Sequence, residues 1–113
     1  VRGHVGQHEE VEPLELPPEL RDSSDTAGAA LDRLDEIIAT YPRAKVTERR
    51  GDYLAAEFRS RIFRFADDVE FLVDEEAGAV HFRSASRLGH SDMGANRARM
   101  EEIRRLWEER AGR

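Results

Sequence analysis

The sequence predicts an α+β domain in which a four-stranded antiparallel sheet carries two helices packed on one face, in the order α-β-β-β-β-α, behind an extended N-terminal arm. Three observations predict it. Apolar residues recur at helical spacing between Ala27 and Tyr41, two stretches of alternating apolar and polar residues occupy the middle of the chain, and a second helical spacing runs from Ala95 to Arg110. Each predicted strand has one apolar and one polar side, so both helices belong on the same face and the other is left wet or occupied.

The arm, residues 1–26, holds three of the four prolines, a run of glutamates and the cluster Ser23-Ser24-Asp25-Thr26, with scattered leucines at 14, 16 and 20. It has too few apolar residues for a core of its own, so it is either without fixed structure or laid across the domain or a partner. Residues 27–113 are expected to form one domain. Ala27, Ala30, Leu31, Leu34, Ile38 and Tyr41 mark the buried face of the first helix, which Asp25 or Thr26 caps and Pro42 stops. Lys45 to Arg49 and Tyr53 to Ser60 read as a hairpin around Arg50-Gly51-Asp52, a tripeptide explained by the turn without an adhesion role. Arg61 to Phe65 breaks the alternation and reads as a bend. A second hairpin pairs Val69, Phe71 and Val73 with Val80 and Phe82 across Asp74 to Gly78, and the last helix places Met100, Ile103 and Trp107 inward, with Glu101 and Arg105 as an i, i+4 pair. The outward face of the sheet then displays Glu57, Arg59, Glu70, His81 and Arg83.

Composition excludes several kinds of function. The chain has no cysteine, so disulfides, thiolate metal sites and thiol chemistry are absent from it. Its formal net charge of −6 disfavours binding nucleic acid through a basic surface. Charge is unevenly spread: residues 1–42 carry 3 basic and 10 acidic groups, residues 83–113 carry 8 and 5. No apolar run is long enough to cross a bilayer, which leaves a chain in solution or at the periphery of a membrane.

Two segments, Leu54-Ala55-Ala56-Glu57-Phe58 through Phe65-Ala66-Asp67-Asp68-Val69-Glu70-Phe71, and Arg83-Ser84-Ala85-Ser86-Arg87-Leu88-Gly89-His90-Ser91-Asp92-Met93-Gly94-Ala95-Asn96-Arg97, resemble domain-of-unknown-function family 1499, a bacterial and plastid family. Members of that family usually carry an Asn-Cys-Val-Ser-Ser-like segment before the region matching Gln7 to Leu14; the sequence begins too late to show it, which leaves open a Cys-dependent function in a longer precursor and an upstream membrane anchor of the kind some members carry. The resemblance implies a fold and a set of positions, not a reaction. Its occurrence in photosynthetic bacteria and plastids points, by association, to a membrane or photosynthetic assembly.

The densest polar stretch contains Arg83, Arg87, Ser91, Asn96 and Arg97, with Asp67, Asp68 and Asp92 in support. It passes from a strand through a glycine-containing loop into a helix start, where amides and arginines suit a carboxylate or phosphate. The structural alternative is that Ser91 or Asp92 caps the helix, Asn96 stitches the loop and the arginines pair with Asp67 and Asp68. Asp67 and Asp68 are adjacent on a strand, so they point to opposite faces and do not make a metal or acid–base pair without a bulge. The four histidines lack metal-ligand spacing, and neighbouring His90, Ser91 and Asp92 do not reach triad geometry. Neither a metal nor a cofactor is therefore expected. The sequence favours a protein-interaction module, an accessory subunit with a protein partner, over a small-anion binding domain or enzyme built on residues 83–97.

Overall fold

The computed structural model describes residues 8–10, 12–59, 66–86 and 93–110. Strands β1 (His8–Glu10) and β2 (Leu14–Glu15) come first, then helices α1 (Pro18–Arg21) and α2 (Thr26–Ile38). Strands β3 (Ala44–Arg50), β4 (Tyr53–Arg59), β5 (Ala66–Asp74) and β6 (Ala79–Ser86) follow, and helix α3 (Met93–Glu109) ends the fold. The α+β class and the antiparallel sheet are as the sequence predicts. The strand number is not: β1 and β2 both pair antiparallel with β6, so the sheet has five positions in the order β1/β2-β6-β5-β4-β3 instead of four.

The fifth position comes from the arm, and its physical reason is the edge of β6. Without the arm, β6 would present unpaired amides and carbonyls to water or to another chain. Glu10 pairs with Arg83 and Leu14 with Val80, four steps along the arm against three along β6, so the register slips by one residue between the two segments. The slip leaves Leu14 opposite Val80, on the side facing the helices, and Leu14 and Leu16 are buried there with Leu20 of α1. Each buried leucine contributes roughly 1.5–3 kcal/mol, enough to overcome the arm's polar composition.

Local chemistry explains the other elements. The Asp25 carboxylate accepts the Gly28 amide at 3.0 Å and caps α2. The turn between β3 and β4 places Gly51 at φ 55°, and that between β5 and β6 places Gly78 at φ 68°, where residues with a Cβ are strained. An extra residue, Thr47, bulges from β3. It brings Arg49 onto the helix side, where Nη2 lies 2.9 Å from Asp32 Oδ1 and Nη1 2.6 Å from Asp35 Oδ2.

All three helices feed one core. Leu31, Leu34 and Ile37 of α2 and Met100, Ile103 and Trp107 of α3 pack on Leu54, Phe58, Val69, Phe71, Val80 and Phe82 of the sheet. The Trp107 indole N–H donates to the Glu15 carbonyl at 2.9 Å, and Arg104 donates to the carbonyls of Glu12 and Pro13 while lying over the Phe82 ring. Helix α3 thereby locks the arm against β6. The predicted Glu101 and Arg105 pair is replaced by others: Arg104 meets Glu101, and Arg105 meets Glu102 and Glu109.

At the far end of the helix layer, the Tyr41 hydroxyl donates to Glu102 Oε1 at 2.6 Å. Burial first, and then this bond, push the Tyr41 pKa well above the usual tyrosine value. A raised folded-state pKa means that the Tyr41 contribution to stability is complete below about pH 10 and is lost as pH rises beyond it. An ultraviolet titration of the native protein should show Tyr41 ionising only at more alkaline pH than a tyrosine in the unfolded chain. Leu16→Ala should lower the unfolding free energy by about 2–5 kcal/mol with an unchanged urea m-value; a change below about 0.5 kcal/mol would mean that the arm is not part of the core.

Candidate functional site

Because residues paired across antiparallel strands share a face, the register lays out the sheet surface turned away from the helices. Nearest the hairpin turns lies a row of Arg50, Tyr53, Leu72 and His81. Next come Glu48, Ala55, Glu70 and Arg83, and then Lys45, Glu57, Asp68 and Ala85.

The first two rows form a surface of mixed chemistry. Leu72 is 45% exposed in the middle of the sheet, flanked across the strands by Tyr53 and His81. The Tyr53 hydroxyl donates to Glu70 Oε2 at 2.5 Å, and the Arg50 guanidinium lies 5.5 Å from the centre of the Tyr53 ring while pairing with Glu48 at 2.6 Å. Arg83, directly opposite Glu70, is half-buried, and its Nε is shielded from water with no hydrogen-bond partner. A buried donor left without an acceptor costs about 1–3 kcal/mol. The third row differs: Glu57 is only 5% exposed, with Arg59 Nε at 2.9 Å from its carboxylate, and Ala85 is also buried. On the face predicted to be wet or occupied, Glu57 and Ala85 of this row are therefore closed off, while Lys45 is exposed and Asp68 half-buried.

The predicted site residues are placed as follows. Arg83 belongs to the uncovered face, whereas Arg97 is exposed on α3 in the helix layer, on the other side of the sheet. Asn96 lies in the first turns of α3. Arg87, Ser91 and Asp92 lie outside the described residues, as do the predicted bend at 61–65 and His90. Asp67 and Asp68 point to opposite faces. Asp67 pairs in register with Phe58 on the helix side and takes Arg99 Nη1 at 3.2 Å, with that guanidinium 5.0 Å from the Phe58 ring centre; Asp68 stands opposite Glu57 on the uncovered side. The arginine that meets Asp67 is thus Arg99, not one of those singled out from the sequence. Among the described residues, no group of three His, Asp or Glu side chains could hold a metal ion, and no helix is long and apolar enough to cross a membrane.

Sequence reasoning missed Leu72 and Tyr53. The signal was present in the unbroken triplet Phe71-Leu72-Val73, because in a strand with alternate residues facing the core the middle one must face out.

The chain matches the family described as Protein of unknown function (DUF1499) over residues 4–106. It belongs to that family. No curated protein and no solved structure matches it. The DUF1499 match runs from the arm to α3, and so takes in the arm strands, the sheet and most of the last helix.

Asp74, at the end of β5, gives the surface its acid limb. Its pKa is held below the usual aspartate value, first by the Ala77 amide at 3.1 Å and then by His81 Nε2 at 3.3 Å. Its contribution to stability is present above about pH 4 and is lost as pH falls through the lowered value. Carboxyl-carbon NMR titration of His81→Ala should show the Asp74 pKa moving upward but staying below that of an unstructured aspartate, because the Ala77 amide remains.

Proposed function

We propose that this DUF1499 domain is a protein-interaction module, an accessory subunit that docks on a larger assembly through the uncovered face of its sheet. The observation that carries this reading is the exposed Leu72, set among Tyr53, His81 and charges of both signs on a face that none of the helices covers. Apolar surface ringed by polar groups is typical of recognition surfaces, and charge of both signs sets register and selects partners. A membrane-associated or photosynthetic complex is the setting suggested by the family's occurrence, which is an association and not a physical argument.

A second reading, a small-anion binding domain or enzyme for carboxylate or phosphate, is supported by the missing acceptor at Arg83 Nε. The residues that the sequence offers for such a site are Arg83, Arg87, Ser91, Asn96 and Arg97.

Leu72→Asp tests the first reading, because an outward position tolerates a charge without disturbing the core. Native mass spectrometry of the full chain, isolated gently from its own host, should find wild type in a stoichiometric complex and Leu72→Asp as a free, folded protein with an unchanged circular dichroism spectrum. Both forms running as free monomers would overturn docking through this face.

A further inference from the structure

We propose that the partner docked on this face is a basic protein segment, one that sets an apolar side chain over Leu72 with a lysine or arginine close on either side; this rests on the docking reading above. Leu72 is the one large apolar side chain exposed among the described residues. Its outward neighbours along β5 are Glu70 and Asp74, two residues away in each direction and so about 7 Å from it. Asp68 follows on the same face, half-buried beyond Glu70. The outward side of the sheet's middle strand is thus one leucine in a line of carboxylates.

A partner that covers Leu72 takes water from Glu70 and Asp74 as well. Charged groups moved out of water cost free energy unless opposite charge and hydrogen-bond donors replace that water. The chain's own cations leave the need in place. Arg83 stands in register between Glu70 and Glu10, and its Nε is closed to water. Arg50, further across the sheet, is matched by Glu48 at 2.6 Å. The Asp74 carboxylate meets the Ala77 amide at 3.1 Å and His81 Nε2 at 3.3 Å but keeps 39% of its side chain exposed, and a carboxylate offers about four acceptor positions. Other occupants fail on charge. An acidic segment would be repelled, and a second copy of this chain, itself of net charge −6, would set the same carboxylates against each other. An extended segment with basic residues two places on either side of an apolar one repeats the spacing along β5 and meets both carboxylates at once.

The test uses the full chain labelled with nitrogen-15 and three capped pentapeptides that differ only in charge: acetyl-Lys-Ala-Leu-Ala-Lys-amide, acetyl-Gln-Ala-Leu-Ala-Gln-amide and acetyl-Glu-Ala-Leu-Ala-Glu-amide. In wild type the lysine peptide should shift the amides of Tyr53, Leu72 and His81, with the glutamine peptide binding about fivefold more weakly and the glutamate peptide weaker still. Glu70→Gln combined with Asp74→Asn should bind the lysine and glutamine peptides alike. Glu70→Gln alone, which leaves the Asp74 contacts of the turn in place, should lose part of the preference. Glu36→Gln, which removes an exposed carboxylate from α2 on the other side of the sheet, should keep it, and so separates the face from the acidity of the whole chain. Equal binding of the three peptides to wild type, binding of none, a preference for the glutamate peptide, loss of the preference in Glu36→Gln, or the same amides shifting with protein concentration alone would each overturn the proposal. If the native complex survives Glu70→Gln with Asp74→Asn but is lost in Leu72→Asp, docking through the face stands and the basic partner falls.

Discussion

Trp107 is buried where the arm meets the helix layer, and its indole N–H reaches the Glu15 carbonyl. The rest of the structure depends on this junction. The indole both fills space against the sheet and satisfies a backbone acceptor on the outer side of β2, so the arm can bury Leu14, Leu16 and Leu20 without leaving its own backbone unsatisfied. With the arm in place, β6 becomes an interior strand, and among the described residues the edges of the sheet are the arm strands, where α3 takes up the carbonyls of Glu12, Pro13 and Glu15, and β3. The β3 edge carries Lys45, Glu48, Arg49 and Arg50 and a bulge at Thr47, all features that discourage pairing with another chain.

Concentrating every helix on one side of the sheet has a consequence on the other. The core is complete without Leu72, so a leucine can stand 45% exposed there without a folding purpose. The same freedom explains why polar groups on this face satisfy one another in short local pairs, Glu48 with Arg50, Glu57 with Arg59 and Asp74 with His81. The two exposed pairs, Glu48 with Arg50 and Asp74 with His81, add little stability, and their main effect is to set the pattern of charge at that surface.

Arginine does much of the joining between elements. Arg49 ties β3 to α2 through two aspartates, Arg99 ties α3 to β5 through Asp67 and lies over Phe58, and Arg104 reaches the arm carbonyls from above Phe82. Arg33 lies over Trp107 with Glu19 at 3.6 Å. A planar guanidinium can stack on a ring and still donate at its edge, which the single lysine of the chain, Lys45, could not do.

The sequence by itself determined the helix faces, both hairpins and the separation of Asp67 from Asp68, because these follow from periods of 3.6 and 2 that are written into neighbouring residues. Leu31, Leu34, Met100, Ile103 and Trp107 were legible as core for the same reason. Only the tertiary structure decided that the acidic, proline-rich arm becomes the sheet's fifth position, since its pairing with β6 joins residues some seventy apart and its three leucines show no local period. Likewise, that Glu57 is closed over and that Arg83 Nε lacks an acceptor depends on which neighbours each side chain meets across the strands, and no spacing along the chain encodes that.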